Sequence, residues 1–152
     1  MKRLLLILLA VIMSASAFSQ IQISQKASKF DVLCSVRSKY VYIARFVKGD
    51  YTNYSLVLPT SNQFDDPFRI NLGEDAETAM ETLKSMAVLY DLDGNESVTI
   101  KDSMGKESIV RVNRAFGLVG ITFDQKGYAG TAGLNKGEYD KLVKKFEAAL
   151  NK

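Results

Sequence analysis

The stretch Leu134–Leu150, LNKGEYDKLVKKFEAAL, carries the most complete set of helix signals in the chain, and the fold is interpreted outward from it. Asn135 suits a helix cap, and Glu138 follows three residues later, as in a capping box. Leu134 can pack on Tyr139 as a hydrophobic staple. Apolar residues at helical spacing predict a buried face made of Tyr139, Leu142, Val143, Phe146 and Leu150. We therefore predict a structural helix over residues 136–150 that packs on a sheet.

A second amphipathic helix is predicted over residues 74–90. Its apolar face consists of Ala76, Ala79, Met80, Leu83, Ala87 and Tyr90. This spacing repeats that of the C-terminal helix at an offset of 63 residues, and at the same offset Leu56 and Leu58 fall on Val119 and Ile121. Two interpretations stay open: a chain of two strands-then-helix halves, or two unrelated amphipathic helices, because no residue identities support a duplication.

Alternating apolar residues and turn signals predict strands before and between the two helices. The predicted strands cover residues 30–36, 40–47, 54–58, 68–72, 98–101, 108–112 and 118–123. In the second of them, Tyr40, Tyr42 and Phe46 share one face, and Arg45 interrupts the other. The predicted fold is a single α+β domain over residues 30–152, with an antiparallel sheet of about 6–8 strands and two helices.

The N-terminus has the three regions of a secretory signal peptide. Lys2 and Arg3 precede ten apolar residues, 4–13, and Ala15-Ser16-Ala17 fits a cleavage site. The apolar run is too short to span a bilayer, which needs about 20 residues. We predict cleavage after Ala17, or alternatively after residue 19, followed by a loose arm over residues 18–29.

This leader predicts an exported protein, periplasmic or secreted, without a transmembrane anchor. Cys34 lies too far beyond the cleavage site to be the lipidated first residue of a lipoprotein. The alternation of Phe30, Val32, Cys34 and Val36 predicts one apolar strand face, with Cys34 as a small buried residue or, alternatively, a reactive thiol.

The charge balance gives no reason to expect a polyanion as the main partner. The chain has 20 Lys and Arg against 17 Asp and Glu, and two of the basic residues belong to the leader. Nucleic-acid binders usually carry a clear positive excess. Residues 26–48 are mainly basic, residues 65–96 mainly acidic and residues from 101 onward mainly basic. These segments either complement one another in the fold or form a two-sided surface for a protein partner.

The residue inventory excludes several kinds of catalysis. The chain has no histidine and one cysteine, which excludes Ser-His-Asp and Cys-His catalysis, histidine-ligated zinc and thiolate zinc sites. Ser103-Met104-Gly105-Lys106, Asp91–Asn95 and the glycine-rich run 127–133 only partly match catalytic, calcium and phosphate motifs. We interpret all three as turns or a helix entry, and predict no catalytic, metal or cofactor site.

Both faces of the strand over residues 40–47 are predicted to be covered. Its aromatic and basic residues and the helix lysines are the candidate partner surface: Tyr40, Tyr42, Arg45, Lys141, Lys144 and Lys145. The helix lysines alternatively form only a solvated face. Strands followed by a helix resemble the whirly and PUR-type folds, and the likeness rests on Tyr40, Tyr42, Arg45, Phe46 and the helix after Leu134. That resemblance implies binding of single-stranded nucleic acid.

The function expected from the sequence is a non-enzymatic binding domain for a protein or another cell-envelope component. The alternatives are a single-stranded nucleic-acid-binding module of whirly or PUR type and a hydrolase built on carboxylates.

Overall fold

The structure, a computed structural model, describes residues 28–60, 66–94, 96–124 and 132–152. The predicted signal peptide and nearly all of the predicted arm lie outside these ranges, as does most of the glycine-rich run 127–133. Within the described ranges, no helix is long and apolar enough to cross a membrane.

The first half of the described chain is an antiparallel sheet followed by a helix. The sheet has the order β1-β2-β3-β4, and its strands are Lys29–Val36, Val41–Lys48, Tyr51–Leu58 and Phe68–Gly73. Helix α1 (Ala76–Ser85) follows and continues as a 3-10 helix over Met86–Asp91. Asp75 caps α1, because its carboxylate accepts a hydrogen bond from the backbone N–H of Thr78 at 2.8 Å.

The second half repeats this order. Strands β5 to β8 form the second sheet and are Ser97–Lys101, Glu107–Ala115, Leu118–Asp124 and Ala132–Asn135. Helix α2 (Lys136–Leu150) covers the predicted range and starts with the predicted capping box. Asn135 Oδ1 accepts from the Glu138 N–H at 2.8 Å, and the Glu138 carboxylate accepts from the Asn135 N–H at 3.3 Å.

The predicted α+β class is confirmed, and three details are corrected. The strands form two sheets of four, whereas a single sheet was predicted. The helix predicted over residues 74–90 tightens into a 3-10 helix after Ser85, which turns Met86 and Leu89 into the core. The four-residue strand β8 was not predicted, because Ala132 and Gly133 give no strand pattern and only pairing with β7 defines it.

The 63-residue offset between the two helices holds in the structure. Ala79 and Leu83 are buried on α1, and their counterparts at this offset, Leu142 and Phe146, are buried on α2. Two further counterparts meet directly, since Lys84 Nζ lies 3.1 Å from Glu147 Oε1. The two halves thus repeat one order of elements and place equivalent helix positions side by side.

One core joins the halves. Phe68 from the first sheet stacks on Phe123 from the second, with ring centroids 5.6 Å apart. The Tyr139 hydroxyl on α2 donates to the carbonyl of Leu83 on α1 at 2.7 Å. Burial, followed by the nearby Asp140 carboxylate, raises the pKa of Tyr139 to about 12, so this donor stays protonated.

Candidate functional site

The candidate site is the face of the first sheet that points away from the core, here called the outer face. Strand pairing assigns its members, because directly opposed residues share a face. Rows run across the strands from Phe30 to Phe46 to Asn53, from Val32 to Ala44 to Ser55 to Asn71, and from Ser35 to Tyr42 to Val57 to Arg69.

A β-bulge places two apolar residues on this face. The pairing register shifts between Val32 and Cys34, so the residues before the bulge and those after it point to opposite sides. The prediction that Phe30, Val32, Cys34 and Val36 share one face is therefore wrong. Phe30 is 50 % exposed and Val32 54 % exposed, whereas Val36 is buried. The outer face thus gains an apolar pair at its edge strand.

Aromatic rings cover the middle of the outer face. The rings of Phe30 and Tyr42 meet edge to face, with centroids 6.3 Å apart and planes at 90°. Ala44 lies between Tyr42 and Phe46 along β2 and is buried, as is Val57 on β3. The result is a contiguous apolar patch, in which Phe30, Val32, Tyr42 and Phe46 are exposed or partly exposed and Ala44 and Val57 lie buried beneath or beside them.

A row of polar side chains adjoins this apolar patch on β3 and β4. The Ser55 hydroxyl lies 2.7 Å from Asn53 Oδ1 and 3.3 Å from Asn71 Oδ1. Asn71 Nδ2 donates to Asp102 in the turn between β5 and β6 at 2.7 Å. Asn53 is only 5 % exposed, and its Nδ2 has no partner within the described chain. A buried amide N–H without an acceptor is unfavourable, so this face contains a donor that is not satisfied.

The charged side chains on the strands of the outer face are basic, and one carboxylate, that of Asp102 in the β5–β6 turn, adjoins the face at Asn71. The basic residues are Lys48 and Arg69, and neither lies within ion-pair distance of a carboxylate in the described ranges. The corresponding face of the second sheet is different, because Lys101 pairs with Glu107 at 3.2 Å and Arg111 with Asp124 at 3.4 Å. The first sheet therefore combines adjoining apolar side chains with two cations that have no ion pair in the described ranges, whereas Lys101 and Arg111 on the second sheet are paired.

The structure separates some of the predicted partner residues. Tyr42 lies on the outer face, and Tyr40 is exposed in the turn that precedes β2. Arg45 lies on the opposite face of β2, where it is hydrogen-bonded to Asp31 at 3.0 Å. The guanidinium of Arg45 lowers the pKa of the Asp31 carboxyl, with Lys29 contributing less. Arg45 and Tyr42 therefore do not form one surface.

The predicted helix lysines also divide. Lys145 Nζ donates to the carbonyl of Ser35 on β1 at 2.8 Å, which places it at the edge of the outer face. Lys141 is exposed one turn earlier on α2. Lys144 is exposed as well but points about 100° away from Lys145 around the helix axis. Lys145 and Lys141 thus border the first sheet, and Lys144 does not.

The turn between β1 and β2 is held to α2 by an ion pair. Arg37 Nε donates to Glu138 Oε1 at 2.8 Å, and Nη2 contacts the second carboxylate oxygen. This bidentate contact lowers the pKa of Glu138. Arg37, Ser38 and Lys39 all have positive φ, a conformation that non-glycine residues adopt at a cost. The ion pair fixes the strained turn, and Lys39 and Tyr40 project from it.

Cys34 is half-buried against the core, with Sγ 4.0 Å from the carbonyl of Leu142. Burial raises the pKa of the Cys34 thiol to about 11. The thiolate is the reactive form of cysteine, and the fold disfavours it at neutral pH. This environment supports the interpretation of Cys34 as a structural residue.

We expect the folded protein to react slowly with iodoacetamide at neutral pH, and the urea-unfolded chain to react faster. Since the folded pKa lies above the ordinary value of 9.0, the contribution of the neutral thiol to stability is present below pH 9.0 and is lost as the pH rises toward about 11. Mass spectrometry of timed, quenched samples measures the rates. Rapid stoichiometric labelling of the folded protein at neutral pH would contradict the buried position.

A cavity of about 510 Å³ lies between the β6–β7 hairpin and the start of α2. The basic groups that line it are already engaged: Arg114 donates to the Tyr90 and Leu92 carbonyls at 3.1 and 2.9 Å, and Lys136 pairs with Asp140 at 3.0 Å. Asp91 is the one carboxylate among its lining residues. The cavity therefore lacks the pair of carboxylates that the hydrolase alternative requires.

The motif fragments fall in turns where the structure describes them. Residues 103–106 form the β5–β6 turn, in which the Asp102 N–H donates to the Lys106 carbonyl at 3.0 Å and Gly105 has a φ of +78°. The run Asp91–Asn95 is described up to Gly94, and the Glu96 N–H donates to the Asp93 carbonyl at 3.0 Å. No group of three or more acidic or cysteine side chains in the described ranges is placed to hold a metal ion.

Sequence reasoning missed most of the outer face, including Phe30, Val32, Val57 and Arg69. Strict alternation placed Phe30 and Val32 on the same face as Cys34 and Val36. The bulge that separates them leaves no local signal in the sequence. Val57 belongs to the site because it pairs with Tyr42, and Arg69 because it pairs with Val57; both pairings are tertiary contacts. Comparison of the chain with known protein families, curated proteins and solved structures finds no match.

Proposed function

We propose that the protein is a non-enzymatic, exported binding domain whose ligand surface is the outer face of the first sheet, and that its ligand is another protein of the cell envelope or the secreted fraction. The observation that carries the proposal is the pair of exposed apolar side chains on β1, Phe30 and Val32, which adjoin the partly exposed rings of Tyr42 and Phe46 on β2. Large exposed apolar patches on soluble domains usually mark interaction sites.

The contrast between the two sheets supports this assignment. Both are four-stranded and antiparallel, so a general tolerance of exposed apolar residues would affect both. The outer face of the second sheet carries paired charges, and its exposed large apolar side chains are Ile109, 42 % exposed, and Leu118, 68 % exposed. These two lie at opposite ends of the β6–β7 pair, because Ile109 is opposed to Asp124 and Leu118 to Ala115, so they do not form a contiguous patch like that of the first sheet.

The unsatisfied Asn53 amide adds a polar element to the patch. It lies on the same face as Phe46 and Ser55. Protein interfaces combine an apolar centre with polar groups, and the polar row of Asn53, Ser55 and Asn71 adjoins this patch. The composition of the face thus suits a protein segment.

The experiment is retention of the labelled mature protein on arrays of envelope proteins, lipids, glycans and oligonucleotides. We expect retention on one or more proteins and none on lipids. Retention on every class, or on none, would contradict a specific protein-binding domain. Binding confined to glycans or lipids would overturn the choice of partner class.

Single-stranded nucleic acid is the second candidate, and one observation favours it. The outer face combines aromatic rings with Lys48 and Arg69. Proteins that bind single-stranded nucleic acid use aromatic rings to stack on the bases and cations to contact the backbone. The repeated order of four strands and a helix is similar to the whirly and PUR-type arrangement. Retention on oligonucleotides alone would support this function over the first.

A further inference from the structure

Cations without an ion pair in the described ranges border the row of the outer face that runs from Ser35 to Arg69. The row from Ser35 through Tyr42 and Val57 ends at Arg69, and Lys145 binds the Ser35 carbonyl at its other end at 2.8 Å. Lys39 projects from the adjoining turn. In the described part of the chain, none of Lys39, Arg69 and Lys145 lies within ion-pair distance of a carboxylate.

Two carboxylates near the Ser35 end of this row are already committed to other cations, and Asp102, near the Arg69 end, accepts hydrogen bonds from Asn71. Asp31 lies on the opposite side of β1 and contacts Arg45 at 3.0 Å and Lys29 at 3.4 Å. Glu138 is held by Arg37 in a bidentate contact. Within the described ranges, Asp31 and Glu138 therefore do not neutralise Lys39 and Lys145.

We propose that the partner segment bound by the outer face is acidic, with its apolar side chains on the patch and its carboxylates directed to Lys39, Lys145 and Arg69. This inference rests on the proposed function and specifies the ligand of the same site. The apolar patch supplies most of the affinity, because exposed charge pairs contribute little free energy. The cations select the partner and accelerate its association.

The geometry favours a polypeptide over a nucleic-acid strand. The planes of the Phe30 and Tyr42 rings meet at 90°, with the edge of one ring against the face of the other. The two rings therefore do not form parallel surfaces on which successive bases could stack. The middle row of the face is Val32, Ala44 and Ser55, which has no cation to follow a phosphate backbone. Cations at the border suit carboxylates at the edge of an apolar contact.

The test uses fluorescein-labelled peptides as probes, measured by fluorescence anisotropy with the mature protein. One peptide alternates leucine with glutamate, its neutral counterpart alternates leucine with glutamine, and an oligothymidylate represents nucleic acid. We expect the glutamate peptide to bind at least about tenfold more tightly than the glutamine peptide at low salt. The difference should shrink at high salt because exposed charges are screened.

Charge reversal locates the effect. Lys145→Glu and Lys39→Glu should each remove most of the preference for the glutamate peptide, whereas Lys144→Glu, on the same helix but directed away from the sheet, should retain it. Circular dichroism melting of each variant separates lost binding from lost folding. For a variant that fails to fold, Arg69→Gln tests the opposite end of the row.

Each outcome bears on a different claim. Equal affinity for the two peptides would overturn the acidic partner and leave the binding face intact. Preference for the glutamate peptide that survives Lys145→Glu, Lys39→Glu and Arg69→Gln would place the selectivity elsewhere and also overturn the inference. Tighter binding of the oligothymidylate would assign the cations to phosphates, and binding of neither peptide would contradict the inference and the proposed function together.

Discussion

Phe146→Ala is expected to lower the free energy of unfolding by about 3–5 kcal/mol, as large-to-small substitutions of fully buried rings do. The Phe146 side chain has no solvent exposure, and its ring lies 6.1 Å from that of Tyr54 on β3. Phe146 therefore joins the helix of the second half to the sheet of the first. A loss of this size is a large share of the 5–15 kcal/mol that typically stabilises a domain.

Urea denaturation followed by circular dichroism measures this change. Lys144→Ala on the same helix is the control, and its effect should stay within about 0.5 kcal/mol because the side chain is exposed and without an ion pair in the described chain. A Phe146→Ala protein with an unchanged midpoint would show that α2 does not close the core.

The C-terminal helix could be predicted in full because its signals are local. Asn135 and Glu138 lie three residues apart and bond each other's backbone, so the capping box needs no knowledge of the rest of the fold. The apolar spacing of Leu142 and Phe146 is likewise a property of the helix alone. The 63-residue offset between the two helices was accessible for the same reason.

The site could be predicted only in part, because its assembly is not local. Alternation along β2 assigned Tyr42 to the same face as Phe46, and the structure places both on the outer face. Phe30 and Val32 join it because β1 bulges before Cys34, and Arg69 joins it through pairing between β3 and β4. Pairing register depends on the whole sheet, so residues from separate strands could not be grouped from sequence.

Lys145 shows the same limit on a helix. Sequence alone placed Lys141, Lys144 and Lys145 in one lysine cluster. Only the docking of α2 beside β1, seen in the contact from Lys145 to Ser35, distinguishes the lysines that border the sheet from the one that does not. The orientation of a helix against its neighbour is a tertiary property that its own periodicity leaves open.

Val32→Asp is expected to weaken the affinity for the partner protein identified on the array by about ten- to a hundredfold. Val32 is 54 % exposed in the apolar patch, and burying a valine side chain against a partner is worth about 1.5–3 kcal/mol, which converts to that range of affinity. Desolvating the new carboxylate adds to the loss. Stability should change little, since the side chain lies on an edge strand outside the core.

The central claim is that the outer face of the first sheet, and not that of the second, is the binding surface. The most direct test compares dissociation constants of Val32→Asp and Ile109→Asp for that same partner protein, with melting temperatures recorded for both. Both changes replace an exposed β-branched residue by aspartate on the outer face of a four-stranded sheet. We expect binding to be lost in Val32→Asp and retained in Ile109→Asp; loss confined to Ile109→Asp, or equal affinity of both variants with the unmodified protein, would contradict the claim.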